Sequence, residues 1–481
     1  MPTSKSKVLS GVVWSALEKY SVQGVQFIVS IILARLLEPE DFGLIAIVMV
    51  FTTIFQTINE AGFNTALIHK QDRDELDYST ALFTNVAIGL LSYIVIFSCA
   101  PIIARFYGLS SLTSVMRVLS LTLIINSFGI VQNAKFTIKV DFKSQAKASL
   151  TASIISGAIG IYLAYRFRNV YGIVFQSLFY SIINVSLMWL IAKWKPHTLF
   201  SFKRFKKLFD YAYKLILSRL ISVVFDDIYA LAIGKLYLSA QLGYYNRANS
   251  FRQVLSREII NTIQRVSVPL LCEAQESNEK MTNILLRFIQ NTAVIVYPLL
   301  AGLMVLRKPF IIVLIGEKWL PTADVILLIC PISFFYLIST FNRNVFNATG
   351  RTDWALKAEI VKKILFVAVF LFTFRYSMTV LLIGLNVIAV FEMLYDIYFS
   401  HKQIQVTLLQ QFKALSGIIA ATFFMAIAIL SVSPFISFNP NIHLLVGFII
   451  GLIVYGAIVL LFNIAGLRIE IIKIFHNYLK K

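Results

Sequence analysis

Apolar residues run through this chain in blocks of about 20, the length a helix needs to cross the ~30 Å hydrocarbon layer of a bilayer. The blocks fall near 9–34, 43–67, 79–104, 113–134, 146–165, 171–192, 211–234, 241–269, 284–306, 322–347, 359–376, 379–399, 413–433 and 443–464. None alternates polar and apolar positions as a barrel strand does, and otherwise only helices satisfy every backbone group in lipid. The pattern predicts an all-α integral membrane protein of about 14 transmembrane helices. Composition agrees: 58% of the 481 residues are hydrophobic and 14% charged, where a soluble chain carries about a quarter charged residues. The length is used up by spans and short loops, so no sizeable soluble domain is expected.

A formal net charge of +20 would suggest nucleic acid in a soluble protein; in a membrane protein it reports orientation. With the N-terminus inside, inside segments hold about 26 basic residues and outside loops about ten, which predicts that both termini are cytoplasmic. The first block contains Glu18 and Lys19 and lacks a small-residue cleavage site, so it reads as a retained span. Cys99, Cys272 and Cys330 are far apart in apolar runs and are expected to be buried, unpaired thiols.

An internal repeat organises the chain. LLEPEDFG ends at Gly43 and LYLSAQLG at Gly243, an offset of 200; Pro101 and Gly108 match Pro309 and Gly316 at 208; Asp141-Phe142 and Gly172 match Asp353-Trp354 and Gly384 at 212. Six spans per repeat is an even number, so the copies run parallel, as in many transporters. The expected domains are an N-terminal six-helix lobe (1–192), a basic amphipathic cytoplasmic linker (193–210), a C-terminal six-helix lobe (211–400), and two extra helices with a basic cytoplasmic tail (401–481). The linker reads either as an interfacial helix on the anionic inner leaflet or as an ordinary positive-inside loop.

Eight basic residues fall within spans: Lys19, Lys214, Arg219, Arg247, Arg252, Arg257, Arg265 and Arg343. A cation at a helix centre costs on the order of 2.5–3.5 kcal/mol on insertion scales. Snorkelling from span ends is expected of Lys214, Arg247 and Arg265, and a cavity for Lys19, Arg219, Arg252 and Arg257. On the first span Ser15, Lys19, Gln23, Gln26 and Ser30 share about 80° of helical arc. On the seventh, Ser218, Arg219, Ser222, Asp226 and Tyr229 do the same, and at the offset of 200 Lys19 maps onto Arg219 and Gln26 onto Asp226. Gln56, Glu60 and Asn64 line one face of the second span. Cations outnumber carboxylates over these helices, which suits an anionic head group such as pyrophosphate. Lys19, Arg219, Arg252, Arg257, Gln23 and Gln26 are therefore the expected substrate-binding residues. Glu60, Asp226, Asp227, Glu258, Glu392 and Asp396 are the candidates for ion coupling or for salt bridges.

Asp72 and Asp74 look like a glycosyltransferase carboxylate pair but stand in a short loop without a catalytic domain, so they read as solvated loop residues. No His cluster, Gly-rich phosphate loop or Ser/His/Asp arrangement is present in the sequence, so neither an enzyme, a metal site nor a cofactor is expected.

Four segments, LARLLEPEDFGLIAI (33–47), KVDFKSQAKASL (139–150), LGYYNRANSFRQ (242–253) and NVFNATGRTDW (344–354), resemble the polysaccharide-transporter branch of the multidrug/oligosaccharidyl-lipid/polysaccharide superfamily. The match is closest to Wzx-type flippases of the colanic-acid-exporter kind and covers nearly the whole chain. The resemblance implies a V-shaped bundle of two six-helix lobes. It also implies transport of undecaprenyl-pyrophosphate-linked oligosaccharide (an O-antigen, capsule or exopolysaccharide repeat unit) across the bacterial inner membrane by alternating access. Relatives that flip the peptidoglycan precursor use basic residues of their first, second and eighth helices around the pyrophosphate. Lys19, Arg252 and Arg257 stand in the first and eighth here, while the second offers Glu60 and no mid-span cation. Expected partners are the lipid-linked substrate, membrane phospholipids, a coupling H+ or Na+, and polysaccharide polymerase or export machinery, with no nucleic acid. A multidrug exporter would share the fold but should show an acidic cavity; a membrane polymerase should carry a large outward loop, which this chain lacks.

Overall fold

The computed structural model describes residues 4–196, 200–436 and 439–466, so most of the basic tail lies outside the described residues. The side chains of 4–13, Ser15, Ala16, Glu60, Ala61, Lys214, Phe225, Asp226, Asp227 and Thr352 lie outside them too. Among the described residues the fold is helical throughout. The chain separates into two compact units, Met1–Gly243 and Tyr244–Lys481.

The first unit holds α1 (Ser4–Leu36), α2 (Pro39–Ala61), α3 (Phe63–His69), α4 (Glu75–Tyr107), α5 (Ser111–Leu119), α6 (Leu121–Ser127), α7 (Ile130–Lys139), α8 (Phe142–Phe167), α9 (Tyr171–Ala192) and α10 (Phe202–Leu236). Helix α11 (Ser239–Leu255) starts in the first unit and enters the second. The second unit continues with α12 (Arg257–Glu273), α13 (Asn278–Val305), α14 (Arg307–Ile315), α15 (Pro321–Ala348), α16 (Thr352–Thr373), α17 (Met378–Ile404), α18 (Leu408–Ile436) and α19 (Pro440–Leu461).

Nine of the described helices are long and apolar enough to cross a membrane, or ten if the pair Ser111–Ser127 and Ile130–Lys139, bent by 44°, is one span. The difference from about 14 has two physical sources. Helices α1, α10 and α16 have the length, at 33, 35 and 22 residues, but carry charges such as Glu18, Lys19, Arg219, Glu359, Lys362 and Lys363 inside their runs. The expected fourth and eighth spans are interrupted, the former into α5, α6 and α7 and the latter at Ser256, where φ is −131° and ψ −67°.

Local signals explain several ends. Pro39 opens α2 behind Glu38, which forms a capping box with Asp41. Asp74 caps α4, accepting from the Asp77 N–H at 3.0 Å while Asp77 accepts from the Asp74 N–H. Gly108, at φ 72°, ends α4 in the left-handed region that glycine adopts at little cost.

Packing follows the membrane rule that small residues let helices approach closely. The buried residues of α8 are all small: Ala146, Ala148, Ser149, Ala152, Ser153, Ser156, Gly157, Gly160 and Ala164. This seam meets α9, where a Cβ on Gly172 would lie 2.7 Å from the Ala164 Cβ, and it meets α1, where a Cβ on Gly157 would lie 2.5 Å from Val29. Large apolar side chains point outward instead, among them Leu91, Ile102, Tyr162, Phe448 and Leu452. A water-soluble surface does not present apolar area on this scale.

Residues 202–210 of the expected linker are the first turns of α10, continuous with the seventh span. Helix α10 packs on α2, α3 and α4 within the first unit. Arg204 reaches Asp74 at 2.9 Å and Asp77 at 3.6 Å, and the Ser201 N–H donates to Thr80 Oγ1 at 3.3 Å. Trp194 Nε1 donates to Glu75, and Lys135 lies over the Tyr78 and Trp194 rings at 4.3 and 4.5 Å. Asp74 is thus an anchoring residue as well as a loop residue. The Asp77 N–H, together with Arg204 and Lys70, holds its carboxyl below the usual range.

Candidate functional site

In the first unit α1 presents Glu18 and the polar stripe beside it to different environments. Glu18 faces α8, where Ser149 Oγ donates to its carboxylate at 2.9 Å. Lys19 and Gln26 are exposed, and Gln23 is half-buried with an Oε1 that has no hydrogen-bond partner. Ser30 turns back onto its own helix, donating to Phe27 O at 2.9 Å. On α10, Arg219 is exposed. Helix α1 packs on α8 while α10 packs on α2, α3 and α4, so the two cations that correspond in the repeat have different helical neighbours. The expected carboxylates Glu60, Asp226 and Asp227 fall outside the described side chains.

In the second unit α15 is the central helix, packed against α12, α13, α14, α16 and α17. Toward α11 and α12 it presents Ser333, fully buried, which accepts from Arg252 Nη1 at 3.0 Å. Asn249 Oδ1, one turn before Arg252, accepts from both Nε at 3.2 Å and Nη2 at 2.7 Å. Ser256, where α11 ends, donates to the Arg252 carbonyl at 2.6 Å and lies 2.9 Å from Ser333 Oγ. Arg252 is partly buried, and every oxygen that receives its N–H groups is neutral. Arg257, at the start of α12, is exposed and Glu258 is half-buried.

Toward α16 and α17 the same helix presents a different arrangement. Arg343 contacts Glu359 at 2.6 Å, Asp396 at 2.9 Å and also Glu392; Lys362 reaches Glu392 at 2.9 Å. Ser339 donates to Asp396 as well, and the other carboxylate oxygen of Asp396, fully buried, has no hydrogen-bond partner. Glu392 and Asp396 therefore stand in ion pairs on the face where the sequence places them together. Two neutral networks accompany them: Asn342 and Gln411 exchange amide bonds at 2.8 and 3.0 Å, and Gln264, Asn344 and Ser267 form a chain with 2.8 Å links.

Some expectations change. Arg247 is 6% exposed with its guanidinium 5.7 Å from the Trp319 ring centroid, so the aromatic face, not a snorkel to the interface, accommodates it. Arg265 is exposed, and the Lys214 side chain lies outside the described residues. Cys330 is buried as expected, but Cys99 is half-buried and Cys272, in the last turn of α12, is exposed. Sequence reasoning missed Asn249, Ser333, Glu359 and Lys362 as members of these clusters. Asn249, three residues before Arg252, is a spacing that could have been read; Ser333, 81 residues on, is not. Among the described residues no group of His, Cys, Asp and Glu is arranged to hold a metal.

Known proteins agree with this architecture. In fold the chain is similar to a lipid II flippase, MurJ, in an inward closed conformation, with a TM-score of 0.76 over 94% of this chain and 98% of that one at 14% identity. It is also similar in fold to an inward-facing multidrug-resistance transporter of the MATE family, itself of the MOP superfamily (TM-score 0.61, 14% identity, 80% of this chain and 94% of that one). In sequence it is 24% identical over 319 residues to the succinoglycan biosynthesis transport protein ExoT of Rhizobium meliloti, covering 66% of this chain and 65% of that one. It is 22% identical over 357 residues to the teichuronic acid biosynthesis protein TuaB of Bacillus subtilis, covering 74% of each. The family model described as "polysaccharide biosynthesis protein" matches residues 32–324, and on that match this multi-pass membrane chain belongs to the polysaccharide biosynthesis protein family.

Proposed function

We propose that the protein is a flippase that carries an undecaprenyl-pyrophosphate-linked oligosaccharide from the inner to the outer leaflet of the bacterial inner membrane, by alternating access, with both termini cytoplasmic. The observation that carries this reading is Arg252, a partly buried guanidinium held only by neutral oxygens of Asn249 and Ser333. Such a cation keeps its full charge for an anion that arrives from outside the protein, and a pyrophosphate matches its planar donor fork. Lys19 and Arg219, exposed on the first unit, and Arg257, exposed on the second, supply further positive charge, and Gln23 and Gln26 supply neutral donors. The two repeats serve as the moving six-helix lobes, and α18 and α19 stand outside them. Glu392 and Asp396 act as counter-charges to Arg343 and Lys362, which leaves Glu60, Asp226, Asp227 and Glu258 as the carboxylates for a coupling H+ or Na+. Phospholipids surround the bundle, and a polymerase or export machine receives the product.

The test is lipid extraction and mass spectrometry of cells lacking the gene, with drug sensitivity scored alongside. The expected result is accumulation of polyprenyl-pyrophosphate-linked repeat units with loss of surface polysaccharide. An unchanged lipid-linked pool with new drug sensitivity would overturn the reading in favour of a multidrug exporter.

A further inference from the structure

An apolar groove on the first unit ends in two lysines. It lies beside the break between α6 and α7, where the chain bends by 44° and both helices pack on α9. Ile125 and Phe128 contribute to its wall from the bend, and Ile182, Val185 and Leu190 from α9. Trp189 Nε1 donates to the Phe128 carbonyl at 3.0 Å, which ties α9 to the bend. The space is about 860 Å³, within the roughly 300–1,000 Å³ of sites that hold a small ligand.

Lys193 and Lys195 complete the lining where α9 stops. Lys193 ends that helix in the left-handed region, at φ 48°. The chain leaving it buries Trp194, whose indole donates to Glu75. The lysines on either side of that anchor stay exposed. Neighbouring cations are neutralised: Lys70 by Asp77, Lys135 by Glu75, and Arg204 by Asp74 and Asp77. Among the described residues Lys193 and Lys195 stand in no ion pair. Carbonyls left free at a helix C-terminus carry partial negative charge and repel a phosphate; two ammonium groups reverse the sign there.

We infer that this groove holds one phospholipid with an anionic headgroup, an acyl chain lying on Ile125, Ile182 and Leu190 and the phosphate meeting Lys193 and Lys195. An apolar trough ending in paired cations complements an amphiphile of that charge, and basic pockets between helices on the cytoplasmic side bind such headgroups. Trp189 and Trp194, with ring centroids 5.9 Å apart, stand at headgroup level, where tryptophan is favoured. A headgroup that carries its own ammonium gains less from the two lysines. Ile182 and Leu190 are exposed, so the site fills directly from the surrounding bilayer. The inference goes beyond the flippase reading and does not depend on what is carried.

The test uses the full-length chain purified in detergent and stripped of lipid. Phosphatidylglycerol and phosphatidylethanolamine are added separately, with binding read by native mass spectrometry and stability by thermal unfolding. One phosphatidylglycerol is expected to bind at least tenfold more tightly than phosphatidylethanolamine and to raise the unfolding temperature more. Lys193→Gly with Lys195→Gln should remove that preference; glycine adopts the left-handed φ at 193 readily, so the turn survives the change. Lys203→Gln with Lys207→Gln removes the same charge from exposed positions of α10 outside the groove and should leave the preference intact. Equal binding of the two lipids to the parent chain, an undiminished preference in the groove pair, or an equal loss in the α10 pair would each overturn the proposal. Ser186→Trp fills the groove from an exposed position and should abolish the preference as well. Phosphatidylglycerol held by that variant as tightly as by the parent would overturn the site whether or not the lysine pair folds. Displacement of phosphatidylglycerol from the parent by equimolar undecaprenyl phosphate, lost in Ser186→Trp, would assign the groove to cargo and overturn the phospholipid. An unchanged lipid-linked pool in cells lacking the gene removes the flippase reading and leaves this binding comparison standing.

Discussion

Arg252 and Arg343 are both partly buried arginines that meet the central helix α15, and the protein treats them in opposite ways. Arg343 is surrounded by Glu359, Glu392 and Asp396, with Lys362 sharing Glu392. Arg252 is given Asn249 and Ser333, and among the described residues no carboxylate lies within ion-pair distance of it. Charge cancellation fixes three helices, α15, α16 and α17, to one another. Neutral hydrogen bonds aim a guanidinium without quenching it. The difference separates a cation that holds the fold from one available to a ligand, and intramembrane position alone does not distinguish them.

The largest expected effect comes from removing the neutralised cation. Arg343→Met leaves three carboxylates facing one lysine and should cost about 3–5 kcal/mol, read as a fall in thermal unfolding temperature in detergent; a fall no greater than that of Arg252→Gln would break the comparison. Adding Asp396→Asn to Arg343→Met should recover about 0.5–3 kcal/mol, because the second change removes the charge that the first has orphaned. Simple additivity of the two losses would mean that the cluster is not one electrostatic unit. Arg252→Gln should cost only about 0.5–1.5 kcal/mol of stability and yet reduce export at least tenfold, with Arg252→Lys retaining part of it; stable protein with undiminished export would remove Arg252 from the proposed site. The smallest effect is expected for Glu359→Gln, whose side chain is 40% exposed. Below about 1 kcal/mol is the usual range for such a pair, and a larger loss in the same unfolding assay would show that Glu359 shares the buried network's weight.

Hydropathy was enough to read the helical class and most of the membrane-crossing segments, because apolar run length is a one-dimensional property. Gly43 and Gly243 are recognisable from their flanking residues, although nothing in the sequence says that a Cβ on Gly243 would lie 3.3 Å from the Gly43 nitrogen. Helix breaks were not legible. Ser256 interrupts a run that contains no Pro or Gly at that point, as Ser120 does between α5 and α6, while the α6–α7 break alone of these three carries a glycine, Gly129. The site was legible as a set of cations and illegible as a set of environments. Glu392 and Asp396 share a helical face by spacing, but Arg343 reaches them across 49 and 53 residues, and Arg204 reaches Asp74 across 130. Such pairs form only when helices are already adjacent.

The small-residue seam of α8 also sets which inherited changes the protein can absorb. In a water-soluble protein the large apolar positions are inside and the tolerant ones outside. Here the outward residues of α8, such as Ile154, Ile155, Tyr162 and Tyr165, meet surroundings that accept any apolar shape. Its inward positions are buried Ala, Ser and Gly, and at Gly157 and Gly160 an added Cβ would lie 2.5 Å from Val29 and Gln176. Harmful variants on this helix should therefore be the conservative-looking ones, alanine to valine or glycine to alanine, while bold exchanges among large hydrophobic residues on its outer face pass unnoticed.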